Sequence, residues 1–213
     1  MLKLRGVTKR YHKTVALDGL DLDVAPGERV VIMGPSGCGK STAIRCINRL
    51  TEPDAGQILF QGQDVLGMGH RELLAMRKKI GFVFQHFNLI GRLTAVENTM
   101  FGLVMGGMAR QEAYERAMEA LTKVGLADIK DKRPSELSGG QQQRIGIARA
   151  LALDPQLMLW DEPTASLDPI LVGEVLEVME GLVATTKTTM VIVTHEVAFA
   201  RRAADRVVLM DGG

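Results

Sequence analysis

Aromatic residues are scarce in this chain of 213 residues, at 4% of the whole, and cysteine occurs only twice, at Cys38 and Cys46. With so few rings, a core has to be built from Ile, Leu, Val, Met and Ala, and the hydrophobic fraction of 46% supplies it. Two cysteines this close together exclude a disulfide scaffold and read as reduced thiols in a cytosolic protein. An excess of one charge is also missing. Lys and Arg number 26 against 25 Asp and Glu, for a formal net charge of +1, so electrostatics give no reason to expect nucleic acid or an acidic surface as partner. No uncharged stretch approaches the ~20 residues of a transmembrane helix. Residues 1–11 contain no apolar run of the kind that heads a secretory leader. A membrane process served by this chain would be served from the side.

What is present alternates between two patterns. Around Leu4 and Val7, and again around Leu20, Leu22 and Val24, apolar and polar residues alternate, which predicts half-exposed strands of an antiparallel layer. Arg29-Val30-Val31-Ile32-Met33, Leu157-Met158-Leu159-Trp160 and Thr189-Met190-Val191-Ile192-Val193 are short apolar runs, as expected of strands buried on both faces of a parallel sheet. Helical patterns at 141–153 and 169–183 separate the later strands, and a last strand is expected at 206–210. Strand alternating with helix predicts an α/β core. The middle differs: 94–131 offers no strand, only helical stretches at 94–104 and 110–124, with Gly102, Gly106 and Gly107 expected to break the first from the second. This reads as a helical subdomain inserted between sheet strands. Trp160, on a buried strand, calls for an acceptor for its indole N–H.

Gly34-Pro35-Ser36-Gly37-Cys38-Gly39-Lys40-Ser41 fits the P-loop pattern G-x-x-x-x-G-K-[ST]. Its glycines let the backbone curl so that several N–H groups face one anion, and the following helix adds its positive end. Lys40 is the mobile charge for β- and γ-phosphates. Ser41 offers a hydroxyl to Mg²⁺, which prefers oxygen ligands and keeps several waters. A buried strand before the loop and a helix after it make a chance match a poor explanation. Leu157 to Trp160 then lead into Asp161 and Glu162. Ligand sites lie at the carboxyl ends of parallel strands, so Asp161 is expected near Mg²⁺, holding it through water, and Glu162 is expected to act as general base on the attacking water. The competing reading is an exposed acidic turn. His195, just past the strand at 189–193, reads either as a loop histidine satisfied by backbone or as a contact to the γ-phosphate. Ser138, followed three residues later by Gln141, reads as a capped helix start.

Taken in order, these motifs resemble the ATP-binding subunits of ABC transporters over essentially the whole chain. Gln85, after Gly81-Phe82-Val83-Phe84, resembles the Q-loop. Leu137-Ser138-Gly139-Gly140-Gln141 resembles the signature sequence. Asp161 and Glu162 match the Walker B end, Ser166-Leu167-Asp168 the D-loop, and His195 the switch histidine. The resemblance implies an α/β P-loop NTPase core with a mostly parallel sheet, an N-terminal antiparallel β layer and an inserted α-helical subdomain. As one domain, 1–85 and 136–213 would form the catalytic core and about 86–135 the insertion, with a further strand and helix expected after Gly213. It implies ATP and Mg²⁺ as cofactors. Tyr11 would stack on adenine, with Val15 beside it. Gly34, Pro35, Ser36, Gly37, Cys38, Gly39, Lys40, Ser41 and Thr42 would hold the phosphates. Ser138, Gly139, Gly140, Gln141 and Asp168 would face the nucleotide held by a second copy. Glu162, His195 and Gln85 would be catalytic, and Ser41, Gln85 and Asp161 the metal-side groups.

The same resemblance implies a head-to-tail homodimer with ATP at the interface. It implies permease subunits docking near 86–135, a solute-binding protein acting indirectly, no nucleic-acid partner, and a place on the cytoplasmic face of the inner membrane. Phe84-Gln85-His86-Phe87-Asn88-Leu89 and the stretch 171–176 are similar to ATPases of polar amino acid uptake. The order Ala165-Ser166, and with it His86-Phe87-Asn88-Leu89-Ile90, is closer to phosphonate-type importers. Amino acids are the favoured solute. Repair or translation ATPases of the same family usually carry coiled-coil insertions or tandem cassettes, and neither is visible here.

Overall fold

A computed structural model describes residues 1–213. In chain order the elements are β1 (Leu2–Tyr11), β2 (Thr14–Val24), β3 (Arg29–Met33), α1 (Lys40–Ile47), β4 (Ala55–Phe60), β5 (Gln63–Asp64), α2 (His70–Arg77), β6 (Ile80–Val83), α3 (Ala95–Met105), α4 (Arg110–Lys123), α5 (Gly139–Leu151), β7 (Leu157–Asp161), α6 (Pro169–Thr185), β8 (Thr189–Val193), α7 (Val197–Ala203) and β9 (Arg206–Leu209). The chain divides into two compact units, one of residues 1–77, 159–162 and 187–213 and the other of 78–158 and 163–186.

The first unit carries both expected layers. β1 pairs antiparallel with β2 and with β4, in registers that set Leu2 against Val24 and Phe60, and Leu4 against Leu22 and Ile58. Those side chains are buried, so the alternation seen in the sequence marks the inner face of this layer. The second layer runs β7, β8, β3, β9, with β3 parallel to both β8 and β9. Every residue of β8 is buried, as a strand covered on both faces requires. Trp160 is fully buried, but its Nε1 has no acceptor. No protein acceptor therefore lies within hydrogen-bond reach of the indole N–H.

Arg29 and Asp205 lock the start of the β3–β9 pairing. Arg29 donates from its backbone N–H and from Nε to Asp205 Oδ2, at 2.9 Å each, and from Nη2 to Oδ1 at 2.6 Å. These bonds, the side-chain one foremost, hold the Asp205 carboxyl down from its ordinary 3.8 to about 2. A carboxyl whose folded pKa is depressed adds stability that is present above its unfolded pKa and is lost as pH falls through the folded one. The urea midpoint of Asp205→Asn should therefore lie slightly below wild type at neutral pH, the pair being partly exposed. The gap should close as pH falls from about 4 toward 2. A gap that is constant over this range would exclude the ion pair as its source.

The second unit is mainly helical. α3 starts with a reciprocal cap, in which Thr94 Oγ1 accepts from Glu97 N and Glu97 Oε2 accepts from Thr94 N. One expectation is corrected. Gly102 lies inside α3 and does not break it; the helix runs on to Met105 and ends at Gly106. In the first unit, residues 51–77, on which the sequence analysis was silent, hold β4, β5 and α2. α5 covers Gly139–Leu151 where 141–153 was expected.

Candidate functional site

β3 delivers the chain into the loop 34–39, and α1 begins at Lys40. Gly39 precedes the helix in a left-handed conformation at φ 99°, and a Cβ there would stand 2.0 Å from the backbone oxygen of Ala16. Only glycine fits. The contact also sets the loop against β2 beside Val15, on the hairpin that carries Tyr11. Tyr11 is 45% exposed, with Lys9 Nζ 5.5 Å from its ring centre.

Lys40 is 3% exposed, and its ammonium donates to the carbonyls of Gly34 (3.1 Å) and Pro35 (2.9 Å). Its Nζ lies 4.0 Å from Cys38 Sγ and 3.5 Å from Glu162 Oε1. Cys46 is shut away from solvent, and burial pushes its thiol up to about 11. No acidic residue occupies the first turn of α1, so the helix's own residues leave its positive end free for an anion. A cavity of about 210 Å³ opens here, lined by Ser36, Gly37, Gly39, Lys40, Ser41, Thr42 and Glu162. A buried cation, a helix start and a glycine curl together make an anion site of phosphate type.

The two carboxylates at the end of β7 point to different partners. Asp161 is 0% exposed and accepts from Arg45 Nε (2.9 Å) and Nη2 (2.8 Å), both on Oδ2. Its Oδ1 is buried without a partner. At Glu162 the backbone turns to φ 46°, a left-handed value uncommon for a residue with a side chain, and the turn is pinned by Glu162 N–H donating to Val193 O at 3.0 Å. The turn aims Glu162 at Lys40 and at His195, whose Nε2 is 3.0 Å from Oε1. His195 thus has a carboxylate partner and is not a loop histidine satisfied by backbone alone. No cluster of three or more His, Cys, Asp or Glu could hold a metal by itself. The Ser41 hydroxyl and the orphaned Asp161 oxygen instead fit a cation of Mg²⁺ type, completed by phosphate oxygens and waters.

The second unit holds the remaining candidates. Gln85 follows β6. The segment around it is gripped by α5: Gln143 Nε2 donates to Phe84 O at 3.0 Å, and Arg149 donates to the carbonyls of Phe87 and Asn88. Ser166 Oγ lies 3.0 Å from His86 Nδ1. Ser138 caps α5 reciprocally with Gln141, the local role its sequence suggested. Gly139 and Gly140 stand against Leu167 and Leu171, where a Cβ would come within 3.2 Å and 3.5 Å of their side chains. This brings the signature residues beside the turn that carries Asp168, the residue preceding α6. Sequence reasoning missed Arg45, Gln143 and Arg149. None of the three left a signal in the sequence, since each is paired with residues far along the chain.

Residues 17–165 match the family described as ABC transporter. The chain is 50% identical to the glutamine transport ATP-binding protein GlnQ of Escherichia coli (strain K12), and 49% identical to the glutamate transport ATP-binding protein GluA of Corynebacterium efficiens. Each alignment covers 100% of this chain and 88% of the relative. Among solved structures, a dimeric ATP-binding cassette in a post-hydrolysis state with ADP and phosphate superposes with a TM-score of 0.89. That match has 39% identity and covers 100% of this chain and 95% of the other.

Proposed function

The chain belongs to the ABC transporter family, as an ATP-binding subunit, and on that premise we propose that it hydrolyses ATP to drive uptake of polar amino acids across the inner membrane. The observation that carries the reading is Glu162, turned by its backbone to lie between Lys40 and His195 at the mouth of the P-loop cavity. A base so placed can take the proton of a water attacking the terminal phosphate. Lys40 and the start of α1 bind the phosphates, and His195 holds Glu162 in line. Ser41, Asp161 and Gln85 would hold Mg²⁺, which when bound neutralises phosphate charge. Tyr11 and Val15 take the base.

Ser138, Gly139, Gly140 and Gln141 form a second helix start suited to an anion, here the terminal phosphate held by the other copy of a head-to-tail homodimer, with Asp168 at that seam. No helix is long and apolar enough to cross a membrane. The reading supplies the crossing from permease subunits docking near 86–135. Phe101, Val104 and the 72% exposed Met105 line one side of α3 there, an apolar surface suited to a partner. A solute-binding protein would act through the permease. The names of the similar proteins, which concern glutamine and glutamate transport, support amino acids as solute.

Turnover by the purified chain should rise more steeply than linearly with protein concentration, because two copies complete each site. Cells in which Lys40→Ala replaces the wild-type chain should lose uptake of labelled glutamine or histidine. Turnover strictly proportional to concentration would remove the dimer, and undiminished uptake would remove the solute class.

A further inference from the structure

Arg45 belongs to none of the nucleotide-contacting sets above, yet it is the sole side-chain partner of Asp161. The pairing is lopsided. Both guanidinium contacts, Nε at 2.9 Å and Nη2 at 2.8 Å, fall on Oδ2, while Oδ1 is equally buried and unshared. The other cation at the site, Lys40, lies against Glu162 and the loop carbonyls. The charge of Asp161 is therefore balanced by Arg45 alone. A buried carboxylate without a counter-charge is strongly disfavoured, and one anchored by a single oxygen presents the other in a fixed direction.

We propose that Arg45 is a positioning residue with two effects on the metal side of the site. It anchors Asp161 by Oδ2 so that Oδ1 is presented to the hydration shell of Mg²⁺. Its positive charge also offsets the pull of Asp161 on a free divalent cation, so the cation is retained only when phosphate oxygens add their own charge. The proposal rests on the reading of Asp161 as the metal-side carboxylate. Arg45 and Mg²⁺ then compete for the charge of one aspartate. Without Arg45 the metal-free protein loses stability, and a divalent cation alone restores it.

The test uses nucleotide-free wild type, Arg45→Met, Asp161→Asn and the double variant, melted in EDTA and in millimolar Mg²⁺ at matched ionic strength. Arg45→Met should melt roughly 5–10 °C below wild type in EDTA and recover more than half of that loss in Mg²⁺, while wild type hardly moves. In the Asp161→Asn background the Arg45→Met change should cost little and the Mg²⁺ response should vanish. Arg45→Lys, which keeps the charge, should stay insensitive to Mg²⁺ like wild type. A loss at Arg45→Met that Mg²⁺ leaves unchanged, or that persists when Asp161→Asn has already removed the carboxylate charge, overturns the proposal. If Arg45→Met alone fails to fold, the double variant must fold and melt with Asp161→Asn; its failure also overturns the proposal. The ATP-dependent rise in wild-type melting temperature, read in parallel, reports nucleotide binding separately, so a failure of the ATPase reading appears there and not in the Mg²⁺ comparison.

Discussion

Glu162→Gln should lower ATP turnover by about 10³-fold, the middle of the range that a positioned general base contributes, while leaving ATP binding intact. The substitution is nearly isosteric. The Glu162 N–H bond to Val193 O is a backbone contact, so the left-handed turn that aims the side chain survives. What disappears is the negative charge between Lys40 at 3.5 Å and His195 at 3.0 Å, and with it the proton acceptor. Removing a carboxylate from beside a phosphate site also removes a repulsion, so ATP should be held at least as tightly and the ATP-bound dimer should accumulate on sizing. His195→Ala makes the complementary case. It leaves the base in place but frees its side chain, and turnover should fall by less. A Glu162→Gln protein that hydrolyses ATP at the wild-type rate would show that another group takes the proton.

The parts of this site that could be read in the sequence are those whose chemistry is local. β3 and β8 appear as unbroken apolar runs because both their faces are covered. The P-loop shows because loop and helix start are contiguous, and Ser138 shows because its partner, Gln141, lies three residues on. Residues 51–77 were opaque for the opposite reason. β4 has an exposed half containing Ala55, Gly56 and Gln57, β5 is two polar residues, and α2 buries only Leu73 and Met76, so no period stands out. Gly102 misled because a single glycine costs a helix only about 1 kcal/mol. A Cβ at this position would make only an ordinary contact, 3.6 Å from Leu153 Cδ2, so the packing does not require glycine there. Arg45 stayed hidden because its partner lies 116 positions along the chain, a pairing that only the tertiary fold creates. Gln143 and Arg149 were hidden in the same way, since they bind main-chain carbonyls, which every residue possesses and no motif records.

Gly39→Ala should severely weaken nucleotide binding, and Gly37→Ala should not. Both glycines have positive φ, at 99° and 82°, so both substitutions carry the left-handed cost of roughly 1–2 kcal/mol. The difference lies in what the new methyl meets. At Gly37 nothing stands within 4 Å, whereas at Gly39 the Cβ would sit 2.0 Å from Ala16 O and 3.2 Å from Leu17 Cδ2. Ala16 is the bulged residue of β2, fixed between the Val15–Arg10 and Leu17–Lys9 pairs with β1, so its oxygen cannot move far without disturbing those pairs. The loop must move instead, and it carries Lys40 and the first turn of α1 with it. Losing one of the charge-assisted hydrogen bonds that Lys40 and this loop give to phosphate costs about 1.5–3 kcal/mol, roughly 10- to 100-fold in binding, and a displaced loop loses more than one. In titrations with a fluorescent ATP analogue, Gly37→Ala should therefore stay within about tenfold of wild type, that being the 1.4 kcal/mol scale of its backbone cost. Gly39→Ala should bind at least ~100-fold more weakly, with a lower melting temperature. Equal losses at the two positions would mean that backbone conformation alone, and not the contact with β2, sets the shape of the phosphate cradle.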